Sequence, residues 1–108
     1  MEHIVTMDPG TAHDERLARA TLRLRRCGVR PGDTILICLP IGPDLFFAAD
    51  AVMALGATAA PLAPDGEALD ETVAASPARL MISDDPRAVT AAAESRIRVV
   101  MSVADLGA

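Results

Sequence analysis

Few side chains in this sequence could do chemistry, and they are scattered. The thiols are Cys27 and Cys38, the imidazoles are His3 and His13, and Asp84 and Asp85 form an adjacent carboxylate pair. The two histidines lack metal-ligand spacing, and no Ser-His-Asp arrangement stands out. Asp85 precedes Pro86, a pairing that starts helices, so its carboxylate reads as a cap. Lysine is absent, which removes Schiff-base chemistry and a common phosphate ligand. No catalytic residue and no metal ligand is therefore expected. One segment sits where a binding loop would: Leu39-Pro40-Ile41-Gly42-Pro43 follows an apolar run and precedes a helix start. A helix N-terminus beyond a strand end can hold an anion. The loop has one glycine, however, and neither Gly-x-Gly-x-x-Gly nor Gly-x-x-x-x-Gly-Lys occurs, so a structural turn is favoured over a nucleotide site. The candidate interface or pocket-wall residues are Ile41, Gly42, Pro43, Phe46 and Phe47.

The elements that would position this loop are legible from turn chemistry and periodicity. His3–Thr6 reads as a short edge strand, and Asp8-Pro9-Gly10 as a turn. Thr11-Ala-His-Asp14 fits a capping box opening a helix to about Cys27, with Gly28 as a left-handed C-cap. Leu17, Ala20, Thr21, Leu24 and Cys27 form its apolar stripe. Arg16, Arg19, Arg23 and Arg26 share another face, read as solvated in preference to an anion or acidic-partner surface. Arg30-Pro-Gly-Asp33 suits a type II turn. Thr34–Leu39 is apolar without alternation, the pattern of a strand covered on both faces.

Pro43 and Asp44 open a second helix that Gly56 closes. Phe46 and Phe47, adjacent on it, point about 100° apart, so one faces the sheet and the other needs a different home. Further along, Ala57–Leu62 is a strand, Glu67–Ser76 a helix, Arg79–Ser83 a strand, Pro86 to about Ser95 a helix and Ile97–Met101 a strand. Ser102-Val-Ala-Asp105 is a second capping box. Strands alternating with single helices imply one α/β domain spanning 1–108. Its open, mainly parallel four-stranded sheet is flanked by helices in Rossmann-like or flavodoxin-like layers.

Composition narrows the partners. The apolar share is 51% but only 2% is aromatic, so an alanine-rich core buries less area than the first figure suggests. Residues 1–32 carry six arginines against four acids, and residues 33–108 carry four against eleven. That acidic bulk argues against nucleic acid. The two cysteines are expected as reduced, packed thiols in a cytoplasmic protein. The N-terminus lacks the pattern of a signal peptide, and no stretch has the length and apolarity of a membrane helix.

The order and spacing of these segments resemble the N-terminal region of the adenylate-forming superfamily: acyl-CoA synthetases, fatty-acyl-AMP ligases and peptide-synthetase adenylation domains. The resemblance is carried by Arg16-Leu17-Ala18, Gly28-Val29, Gly32-Asp33, Leu39-Pro40-Ile41-Gly42-Pro43-Asp44-Leu45, Gly56-Ala57 and Pro61-Leu62-Ala63-Pro64, and runs from about Arg16 to Ser83. Ile41 stands where the family usually has Asn. The Pro-Leu-Ala-Pro segment points towards the acyl-AMP ligases. The resemblance implies ATP/Mg and CoA or a carrier protein for a complete enzyme, and no cofactor for this chain alone. The family's phosphate loop and C-terminal lysine have no counterpart here.

The expected role is a non-catalytic N-terminal fragment or small subunit of such an enzyme, with the remaining domains in trans as partners. The alternative is a stand-alone interaction module, a homodimer or one using the Phe46/Phe47 helix. A small nucleotide-binding protein is a third, weaker reading.

Overall fold

A computed structural model describes residues 9–108. Its elements are α1 (Pro9–Arg26), β1 (Thr34–Cys38), α2 (Pro43–Met53), β2 (Thr58–Pro61), α3 (Leu69–Ala75), β3 (Leu80–Ser83), α4 (Pro86–Ala93), β4 (Val99–Met101) and α5 (Val103–Gly107). The sheet is four-stranded and all parallel in the order β2-β1-β3-β4. Strand order thus reverses between β1 and β3. No described helix is long and apolar enough to cross a membrane.

Central strand β1 explains the unalternated apolar run. Ile35, Ile37 and Leu39 face a core layer shared with α1, α2 and α5. Leu36 and Cys38 face the other layer, built on Leu69 and Val73 of α3 and Ala88 and Ala92 of α4. Helix α2 lies on one face and α3 and α4 on the other. This change of face accompanies the reversal of chain direction, as a constant crossover handedness requires. Edge strand β2 is half-exposed, whereas β3 is buried throughout.

The end of α1 is a Schellman turn. Gly28 has φ 95, its N–H donates to the Arg25 carbonyl, and the Val29 N–H donates to the Leu24 carbonyl. The turn folds Val29 into the core beside Leu24. This corrects the expectation of two packed thiols. Val29 seals the end of the stripe, so Cys27 is exposed and Cys38 alone is buried. The Arg30–Asp33 turn forms as expected: Asp33 N–H donates to the Arg30 carbonyl at 3.1 Å, Arg30 N–H donates to Asp33 Oδ2 at 2.9 Å, and Gly32 has φ 89.

Other boundaries move for local reasons. Helix α1 already includes Pro9, Gly10 and Thr11, so Thr11 lies inside the helix and not at its N-cap. The His3–Thr6 strand lies outside the described residues. Helix α3 starts at Leu69, not Glu67, because turns closed by Gly66 N–H on the Ala63 carbonyl and Leu69 N–H on the Gly66 carbonyl occupy the preceding residues. Strand β4 starts at Val99, not Ile97. Ser95 Oγ donates to the Ala92 carbonyl and accepts from Ile97 N–H, holding that segment as a turn that plugs Ile97 into the core. Ser102 Oγ accepts from Asp105 N–H at 3.0 Å, so the second capping motif does open α5.

Candidate functional site

A switch in strand order leaves a crevice beyond the carboxyl ends of the strands, where open α/β sheets bind ligands. Here it falls between β1 and β3. A cleft of about 630 Å³ is walled by Leu39, Ile41, Leu45, Leu62 and Pro64, with Asp85 and Arg87 on its β3 side. A shallower hollow of about 390 Å³ continues it past Gly42 and Pro43 to Asp44 and Asp84.

Ser83 ties the two strand ends together beneath the cleft. It is 2% exposed; its hydroxyl donates to the Cys38 carbonyl at 2.8 Å and accepts from Asp85 N–H at 3.1 Å. Asp85 Oδ1 in turn accepts from Arg87 N–H at 2.8 Å, capping α4. A buried hydroxyl satisfied on both sides is a structural staple. Sequence reasoning assigned Ser83 no such part; its signal was one polar residue closing an apolar strand ahead of Asp-Asp-Pro.

The five candidate residues separate. Ile41 is 88% exposed at the cleft lip, beside Gly42 and Pro43. Phe46 is 60% exposed on the outer side of α2. Phe47 is 3% exposed and turned onto α1: the Arg16 guanidinium carbon lies 3.8 Å from its ring centroid, and the His13 ring meets it edge-on at 6.2 Å. Phe47 therefore lines neither the cleft nor the outer surface.

The cleft's electrostatics bear on what it could hold. Asp44, Asp65, Asp84 and Asp85 surround it, and Arg87 is the cation among its lining residues. Gly42 gives α2 no side-chain cap, but Asp44 already occupies the first turn. Among the described residues, no cluster of His, Cys, Asp and Glu could hold a metal ion. Four carboxylates against one guanidinium repel a triphosphate, so these residues do not fit ATP with its metal.

Burial pushes the Cys38 thiol above the usual thiol range, and Asp85 adds to this; its contact with Ser83 and the charge of Arg87 pull weakly the other way. The neutral thiol is thus the form the fold favours. Its contribution to stability is complete below the ordinary thiol pKa of about 8.5 and is lost as pH rises through the folded value. We expect a disulfide reagent at neutral pH to label Cys27 quickly in the native protein, and Cys38 only after unfolding. Thiol titration with and without denaturant checks this.

The family described as AMP-binding enzyme matches residues 11–107. The chain belongs to this family. Solved structures of the family's adenylate-forming enzymes share the fold. Fatty acyl-adenylate ligases from E. coli and L. pneumophila align at TM-score 0.72 and 20% identity over 87% of this chain and 18% of theirs. The N-terminal subdomain of Klebsiella oxytoca NpsA aligns at TM-score 0.71 and 26% identity, over 87% of this chain and 24% of that one. A long-chain-fatty-acid-CoA ligase from Archaeoglobus fulgidus gives TM-score 0.70 and 21% identity, over 87% and 19%. No curated protein matches the chain. The chain is homologous to the N-terminal subdomain of adenylate-forming ligases and spans about a fifth of the length of these structures. The family uses ATP and Mg.

Proposed function

We propose that this chain is the non-catalytic N-terminal scaffold of an enzyme that uses ATP to convert a carboxylate into an acyl-adenylate. The rest of the adenylating machinery completes it, covalently or as a separate subunit. Its part is to present the β1–α2 lip, Ile41 to Pro43, as a wall of the acyl pocket. CoA or a carrier protein would receive the acyl group in the complete enzyme. The observation that carries this reading is the family match across residues 11–107, combined with a switch-point cleft that is apolar and acidic and a sequence with no lysine. The test is pyrophosphate–ATP exchange by the 108-residue chain alone, across short, long-chain and aromatic carboxylic acids. No exchange above the protein-free blank is expected; exchange with any acid sinks the scaffold reading.

A second reading, an interaction module without ligase chemistry, is favoured by the outer face of α2. Phe46 and Met53, seven residues apart and therefore on one side of the helix, are 60% and 55% exposed. Sedimentation equilibrium showing a monomer at every concentration would count against its homodimeric form.

A further inference from the structure

At the opposite, amino-terminal edge of the sheet, a second cleft of about 490 Å³ gathers Arg30, Arg79 and Arg98 from three separate segments. Arg79 and Arg98 immediately precede β3 and β4, whose register pairs Leu80 with Val99. The Arg98 N–H donates to the Arg79 carbonyl at 2.7 Å, so the two residues are neighbours across the ladder. Like charges side by side on adjacent strands are destabilising. Among the described residues, neither guanidinium hydrogen-bonds a carboxylate. The one carboxylate lining the cleft, Asp33, accepts from the Arg30 backbone instead. The pairing is the more unusual because residues 33–108 carry four arginines against eleven acids.

We propose that this cleft is a binding site for a small phosphate-bearing anion, held by Arg30, Arg79 and Arg98. Guanidinium forks match phosphate oxygens two at a time, and three arginines against the single carboxylate of Asp33 leave the cleft net positive, which concentrates an anion. The anion removes the repulsion that the bare site carries. The site lies at the far end of the strands from the switch-point cleft, and the proposal does not depend on the scaffold reading.

Inorganic pyrophosphate is the probe, with sodium chloride at matched ionic strength as control. Pyrophosphate is expected to raise the melting temperature and to shift amide resonances of residues 28–34, 79–80 and 98–99, with a Kd of about 1 mM or tighter. Arg79→Gln and Arg98→Gln should each weaken binding roughly tenfold or more. Without the anion, Arg98→Gln should melt no lower than the parent, because it removes one of two like charges. The proposal is overturned if chloride reproduces the shifts, if both variants bind pyrophosphate like the parent, or if the glutamine variants melt well below the parent, which would give the arginines a structural role.

Discussion

Phe47→Ala should unfold a large part of this protein's stability, whereas Phe46→Ala should leave it nearly unchanged. The two rings are adjacent in sequence but differ in exposure, 3% against 60%. Truncating a buried phenylalanine costs about 3–5 kcal/mol, from lost transfer energy plus the cavity left behind. Phe47 also carries the Arg16 guanidinium on its face, a contact worth about 0.5–2 kcal/mol that goes with the ring. A domain of this size has roughly 5–15 kcal/mol in total, so the loss is a substantial fraction. Phe46→Ala removes an exposed ring, and surface changes of that kind stay within about 0.5 kcal/mol. Urea unfolding followed by far-UV circular dichroism separates the two; tryptophan fluorescence is no help in a chain without Trp or Tyr. Equal losses for the two variants would contradict the assignment of Phe47 to the core and Phe46 to solvent.

The sequence could not choose between these rings because the choice lies in α1, not α2. Periodicity placed Phe46 and Phe47 about 100° apart, and a helix resting on a sheet buries only part of its circumference. Phe47 finds its place because α1 packs alongside and offers His13 and Arg16 to the ring. That is a tertiary fact about a segment more than 30 residues away. The same holds for Arg16, which by spacing belonged to a solvated arginine stripe but is half-buried against Phe47, with its guanidinium also against Gly107 of α5.

What was legible was whatever backbone chemistry dictates locally. Gly28 and Gly32 take positive φ where a helix end and a type II turn demand it, Pro43 and Pro86 open α2 and α4, and Asp85 and Ser102 cap α4 and α5. Those signals, with the unalternated run in β1, give the parallel α/β fold. The site was less legible. The β1–α2 lip could be named from the sequence, but the cleft also needs Leu62 and Pro64 from the loop after β2 and Arg87 from the first turn of α4, and these meet it only through the order β2-β1-β3-β4. The paired arginines at the other edge were invisible for the same reason, since residues 79 and 98 become neighbours only through β3–β4 pairing.

That strand order also decides where the sheet is most sensitive. Ile37→Ala is expected to cost about 2–5 kcal/mol, and Val100→Ala well under half of that. Ile37 is fully buried on β1, the strand bonded to both β2 and β3, and its side chain fills the layer under α1 and α2. Val100 sits on edge strand β4 and is already 38% exposed, so its truncation returns little apolar area to water and opens no closed cavity. β-branched residues of similar propensity differ here by position, one on a strand between two helix layers and the other at a rim. Ile37 stands two residues before Leu39, which walls the cleft, and its register partner on β3, Ile82, directly precedes the Ser83 staple. Loss of packing at Ile37 should therefore loosen the β1–α2 lip before the sheet unfolds. Native-state hydrogen exchange should find protection at residues 38–46 falling by more in Ile37→Ala than in Val100→Ala, once the difference in global stability is subtracted. Equal loss at both positions would mean that β1 is not the strand that fixes the lip.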